Sequence, residues 1–244
     1  MIEVNGLSKT YKGRRRSKVE ALRDVSFQCE PGQVFGLLGP NGAGKTTCLR
    51  ILSTALRPSA GSAIVGGRDI VSDPRGVREN IGFLSSNTGL YGRLTAREVL
   101  VYFGRLFGME RRKIDARIAE LAATFSMKDF LDRPCDKLST GMRQKVNIAR
   151  TVIHSPPVMV FDEPTNGLDV LTSRTIVQFI GKCREEGKTV LFSTHIMAEV
   201  ERLCDHLAII HEGRLFFSGS VAELRSRYGE NLDDAFVQAI KEVV

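Results

Sequence analysis

The stretch Val34–Thr47, "VFGLLGPNGAGKTT", decides how this chain is read. Val34–Leu38 is a short aliphatic run of the kind that forms a buried strand. Gly39-Pro-Asn-Gly-Ala-Gly-Lys45-Thr46 then satisfies the spacing G-x-x-x-x-G-K-[ST]. A helical pattern begins at Lys45, so the motif stands between a strand and a helix, as a phosphate-binding loop must. Gly39, Gly42 and Gly44 let the backbone wrap an anion with its N–H groups inward, and Asn41, Ala43 and Thr47 belong to the same cradle. Lys45 brings a cation to the β- and γ-phosphates of a nucleotide, and the Thr46 hydroxyl suits Mg²⁺.

A phosphate cradle needs a carboxylate for its metal at the end of a neighbouring strand. "VMVFDE" supplies one: Asp162 closes an apolar strand, and Glu163 follows directly. Glu163 points to another side, toward the γ-phosphate, and suits a general base for an attacking water. His195 ends "FSTH", after a strand expected beside the one that carries Asp162.

Working outward, "IGFL" (Ile81–Leu84), "TVLFS" (Thr189–Ser193) and "LAIIH" (Leu207–His211) read as further buried strands. Helical patterns between most of them predict a mainly parallel sheet covered on both faces. The chain is therefore expected to be an α/β protein with a nucleotide-binding core (34–60 and 155–217). The first part (1–33) and 61–72 alternate and are punctuated by turns, which predicts an antiparallel β flank. Residues 95–154 are nearly all helical in pattern. Thr95-x-x-Glu98 is a capping box that opens a helix expected to run through Met109, and Ile114, Ile118, Leu121 and Phe125 share a helical face. After Gly213, "RLFFSGS" looks like a strand pair. Leu232, Phe236 and Ile240 mark a last helix within a C-terminal extension, 218–244.

Composition narrows the class. The 244 residues are enough for one large α/β domain or two small ones, and 42% hydrophobic with 26% charged is ordinary globular composition. Five scattered cysteines without a C-x-x-C form neither a zinc ligand cluster nor an evident disulfide framework, and read as reduced thiols in a cytosol. "MIEVNGLSKTY" is not a signal peptide, and no apolar run has the length of a membrane span. The net charge of +7 suits nucleic acid, an anionic membrane face, a polyanionic ligand or simply a solvated basic surface.

A second helix start competes with the first. "LSTGMRQK" (Leu138–Lys145) offers Ser139, Thr140 and Gly141 before a helical pattern, another place fit for an anion. Gly39–Thr46, Leu138–Gly141 with Gln144, Asp162–Glu163, Asp169 and His195 together resemble, in order and spacing, an ATP-binding cassette ATPase, over essentially the whole chain. The resemblance implies a P-loop fold and hydrolysis of ATP with Mg²⁺. It also implies head-to-tail dimers in which Ser139–Gly141 of one subunit completes the phosphate site of the other, so the two helix starts serve different nucleotides. Thr140 stands where that family most often has glycine. Asp169 fits the loop that reaches across the dimer, and it equally caps the helix from Val170. Tyr11 fits the aromatic that stacks on adenine, or packs as an ordinary strand tyrosine.

One departure concerns the segment "IGFLSSNTGLYGRLT", where the family usually has a glutamine and this chain has Ser86. The serine is too short to replace it as a direct metal ligand. The following run, "GLYGRLTAREVLVYFGRLFGM", is similar to cassettes that pair with a separate membrane permease, sodium-exporter-type subunits among them. The expected protein is the ATPase subunit of an exporter, for Na⁺ or a small hydrophobic compound, held at the cytoplasmic face of the cell membrane through its permease and working with a second ATPase subunit. The alternative is a soluble cassette acting on DNA or ribosomes. A single cassette, the absence of a zinc motif and too little chain between Lys45 and Ser139 for a long coiled coil speak against it, and no nucleic-acid partner is expected. A scaffold that only binds nucleotide is disfavoured by the presence of Lys45, Asp162, Glu163 and His195 together.

Overall fold

Alternation of apolar and polar residues writes the first sheet. The computed structural model describes residues 1–12, 18–85 and 89–241. Strands β1 (Ile2–Lys12) and β2 (Lys18–Cys29) pair antiparallel, and Val25, Phe27 and Cys29 are buried at every second position. The next strand, β3 (Val34–Leu38), is buried throughout and leads through the glycine-rich loop to helix α1 (Lys45–Leu52). Strands β4 (Ala60–Val65) and β5 (Arg68–Asp69) return to the first sheet, whose order is β2-β1-β4-β5. An N-terminal antiparallel sheet is thus present, as the alternating pattern predicts.

Helix α2 (Pro74–Asn80), capped by Asp73, leads into β6 (Ile81–Leu84). The largely helical stretch follows, with α3 (Ala96–Leu106), α4 (Arg111–Thr124) and α5 (Thr140–Thr151). The expected capping box is present: the Thr95 hydroxyl accepts from the Glu98 N–H at 3.1 Å and the Glu98 carboxylate from the Thr95 N–H at 2.8 Å. The helix stops at Leu106 rather than Met109, because Phe107 closes it and Gly108, a poor helix former, follows. Ile114, Ile118, Leu121 and Phe125 are all buried, as their spacing predicts.

The second half alternates regularly: β7 (Val158–Asp162), α6 (Val170–Glu185), β8 (Thr189–Thr194), α7 (Met197–Leu203) and β9 (His206–His211). "RLFFSGS" is not a strand pair. It is one strand, β10 (Arg214–Ser220), whose partner is β9. The turn joining them has Glu212 at φ 45° and Gly213 at φ 77°, the two left-handed positions that a tight hairpin demands. The extension's helices accordingly start at Val221: α8 (Val221–Tyr228) carries its own Ser220/Glu223 capping box, a helix that sequence reading passed over. In α9 (Leu232–Lys241) the buried residues are Leu232, Ala235 and Ala239, with Phe236 and Ile240 at the margin, so the expected stripe is rotated toward small residues.

The main sheet has the order β10-β9-β3-β8-β7-β6, and its pairings are parallel except β10 with β9. Its central strands alternate between two cores. Val158, Val160 and Leu191 pack with α1 and the first sheet, while Met159, Phe161, Val190 and Phe192 pack with the helical stretch. Burial on both faces explains why these strands read as continuous apolar runs. Among the described residues no helix is long and apolar enough to cross a membrane.

Candidate nucleotide site

In an open parallel sheet, loops that leave the carboxyl ends of adjacent strands converge on one crevice. Here β8 lies between β3, which feeds the glycine-rich loop, and β7, which ends in Asp162. The crevice holds a cavity of 250 Å³ lined by residues 40–47, Ala21 and Glu163.

Lys45 is 5% exposed, and its ammonium donates to the carbonyls of Gly39 at 2.6 Å and Pro40 at 3.2 Å. It also lies 3.4 Å from the Glu163 carboxylate. The cation is thus held inside the loop by neutral acceptors and one acid, with the α1 N-terminus adding positive potential. The Thr46 hydroxyl donates to both Asp162 oxygens, at 3.0 and 3.2 Å. A hydroxyl and a carboxylate converging at the cradle form the hard oxygen donor set that Mg²⁺ prefers, so these residues fit that ion.

Glu163 sits at φ 48°, a left-handed conformation that costs a non-glycine residue energy and that concentrates at functional sites. Its backbone N–H donates to the Ser193 carbonyl at 3.2 Å and to the Ser193 hydroxyl at 3.1 Å. Its carboxylate accepts from the Asn166 amide at 3.0 Å and faces His195 Nδ1 at 3.5 Å. The His195 side chain remains half-exposed at the mouth of the crevice. The arrangement offers a grip for phosphates, oxygen ligands for a metal and a carboxylate–imidazole pair able to hold a water.

Ser139 caps α5, its hydroxyl accepting from the Met142 N–H at 3.3 Å. Among the described residues none of Ser139, Thr140 and Gly141 lines the cavity. Gly141 lies instead beside Asp169. A Cβ on Gly141 would stand 2.9 Å from the Thr172 hydroxyl and 3.4 Å from the Asp169 carboxylate, so glycine permits this approach. Asp169 caps α6: Thr172 donates to it from its N–H at 2.9 Å and its hydroxyl at 2.8 Å, and these bonds hold the carboxyl below the usual carboxylate range. The Gln144 amide donates to the Pro164 carbonyl at 2.7 Å, tying α5 to the loop that follows Glu163.

Tyr11, 38% exposed, has the Lys9 ammonium 5.4 Å from its ring centroid and does not line the cavity. Ser86 lies outside the described residues. Sequence reading missed Ser193. This fully buried hydroxyl donates to Asp162 at 2.8 Å while accepting the Glu163 N–H, so it fixes both acids. The signal for it, a small hydroxyl two places before His195, means nothing until β8 is known to lie between β3 and β7.

Comparison with known proteins gives the family and the fold. The family model described as ABC transporter matches residues 22–166. The chain is 45% identical over 242 residues to the ABC transporter ATP-binding protein NatA of Bacillus subtilis (strain 168), covering 98% of each. It is 38% identical over 242 residues to the doxorubicin resistance ATP-binding protein DrrA of Mycobacterium tuberculosis (strain CDC 1551 / Oshkosh), covering 99% of this chain and 72% of that one. Among solved structures, the dimeric post-hydrolysis state of the ATP-binding cassette MJ0796 bound to ADP and Pi superposes with a TM-score of 0.82 at 26% identity, over 91% of this chain and 99% of that one.

Proposed function

The chain belongs to the ABC transporter family and is an ATP-hydrolysing subunit of it; from that premise we propose how its residues share the work and what they drive. The observation that carries the reading is the convergence of Lys45, Thr46, Asp162, Glu163 and His195 on one crevice. The loop N–H groups and Lys45 bind the β- and γ-phosphates of ATP, and Tyr11 supports the adenine end. Thr46 and Asp162 hold Mg²⁺, which when bound neutralises phosphate charge. Glu163 takes a proton from the attacking water, and His195 orients that water and the γ-phosphate against it.

Ser139, Thr140, Gly141 and Asp169 serve the nucleotide of a second subunit. Their gathering on one surface away from the cavity supports this, as does the dimeric state of the similar MJ0796 cassette. ATP between two subunits draws the helix start at Ser139 toward negative charge and closes the dimer, and loss of phosphate releases it. The cycle drives a separate transmembrane permease at the cytoplasmic face of the membrane, in the direction of export. The names of the relatives support a transport role, and cargo belongs to the permease. Flank, core, helical segment and C-terminal extension are the parts of this cassette, with the extension starting at Val221, after β10. Ser86 contributes at most through a bridging water.

Glu163→Gln tests the reading. The isostere keeps shape and removes the base, so turnover should vanish while ATP affinity persists, and ATP should trap a dimer visible by size-exclusion chromatography. Undiminished hydrolysis, or a monomer with ATP bound, would refute it.

A further inference from the structure

Glu199, in the first turn of α7, is a buried carboxylate that the mechanism above leaves without a role; it is 8% exposed. It accepts the Thr165 hydroxyl at 2.5 Å and the Thr194 hydroxyl at 2.8 Å. Thr194 also accepts the Ile196 N–H at 3.1 Å, so its lone pair is engaged and its proton is committed to Glu199. Among the described residues Glu199 makes no ion pair; its partners are hydroxyls. A buried carboxylate is costly unless hydrogen-bonded, and an apolar side chain would fill the space more cheaply.

The positions of the two threonines give the contact its meaning. Thr165 lies in the loop after β7, between Glu163 and Asn166. Thr194 ends β8, directly before His195. Glu199 therefore ties the loop after β7 to the end of β8, close in sequence to Glu163 on one side and His195 on the other, which stand 3.5 Å apart. Ser193 links the same loops one residue earlier, through Asp162 and the Glu163 N–H. Ser193 fixes the acids to the sheet, and Glu199 sets the loop of His195 against the loop of Glu163.

We propose that Glu199 is a positioning residue for ATP hydrolysis, acting through Thr165 and Thr194 to set the Glu163–His195 separation. This rests on the assignment of Glu163 and His195 given above. A small misplacement of reacting groups costs rate much more than it costs binding, and the clamp stands apart from the phosphate cradle. Loss of the clamp should therefore lower kcat and spare ATP affinity.

The test uses the full chain with Thr165→Val, Thr165→Ser and Glu199→Gln, and Glu163→Gln in parallel. Steady-state hydrolysis gives kcat and KM, and calorimetry gives ATP affinity. Thr165→Val and Glu199→Gln should lower kcat by about tenfold or more, in line with the loss of a hydrogen bond to a charged group, with KM changed less than about twofold. Thr165→Ser keeps the hydroxyl and should retain most of the rate. A packing role for Thr165 predicts the opposite order, since valine keeps the volume and serine loses the methyl group. That opposite order, a wild-type kcat in both Thr165→Val and Glu199→Gln, or a parallel fall of kcat and ATP affinity would overturn the proposal while an inactive Glu163→Gln leaves the wider reading standing. An active Glu163→Gln would remove that reading and this one together.

Discussion

Ser193→Ala tests the geometry of the crevice without touching a group assigned to phosphate or metal. The hydroxyl is fully buried, donates to Asp162 at 2.8 Å and accepts the Glu163 N–H at 3.1 Å. The two bonds do not fail equally. The Glu163 N–H keeps the Ser193 carbonyl at 3.2 Å, which the substitution leaves in place. Asp162 loses its shortest hydroxyl contact and keeps the longer ones from Thr46, at 3.0 and 3.2 Å. The net loss is thus one short bond to a buried carboxylate, worth about 2 kcal/mol. For a chain of this size that corresponds to a fall in Tm of about 4–8 °C. Thermal unfolding of the nucleotide-free chain in chelator measures it, since bound nucleotide or metal would add stability of its own by mass action. Hydrolysis should also slow, because Asp162 and the strained Glu163 backbone lose a shared anchor. A Tm within about 1 °C of the parent, well under the shift expected for that bond, together with an unchanged rate, would refute the role given to this hydroxyl.

Lys45→Ala should weaken ATP binding by removing a charge-assisted phosphate contact, and unchanged affinity in calorimetry would displace the cradle from residues 39–47. Ser139→Arg should block hydrolysis while sparing ATP binding to the monomer. Mixed with Glu163→Gln it should recover partial activity, because one composite site then carries neither change; proven mixed dimers without activity would remove the in-trans assignment. His154, stacked on Phe107 with ring centroids 3.6 Å apart, has its pKa lowered from 6.5 to about 4, chiefly by burial. Its neutral form belongs to the fold, so its contribution is present above about pH 6.5 and is lost as pH falls toward about 4. Denaturant titrations at about pH 7.5 and 4.5 should show a smaller acid loss in His154→Phe than in the parent, and equal losses would remove His154 as a cause.

Much of this protein is local and was therefore determined by sequence alone. The cradle at Gly39–Thr46 is a strand, a turn and a helix start in immediate succession, and its chemistry is written in consecutive residues. The same holds for Asp162–Glu163 at a strand end, for the Thr95/Glu98 cap and for the buried face of α4. Apolar runs buried on both sides announce a parallel sheet. What sequence misread was also local in cause. By sequence β10 reads as a pair although its partner β9 stands before the tight turn, and the apolar pattern of α3 runs on to Met109 although the helix closes at Phe107.

Only the tertiary structure decided the relations between segments far apart in the chain. The strand of His195 is expected from sequence beside that of Asp162, but its place between β3 and β7 and its register, which set Ser193 opposite Asp162 and His195 facing Glu163, belong to the assembled sheet. The approach of Gly141 to Asp169 and Thr172, and the bridge of Glu199 between Thr165 and Thr194, depend on how the helices dock against the sheet and one another. A hydroxyl or a carboxylate in sequence carries donors and acceptors but no direction. Packing two apolar cores against one sheet supplies the direction, and only then do Ser193 and Glu199 have partners.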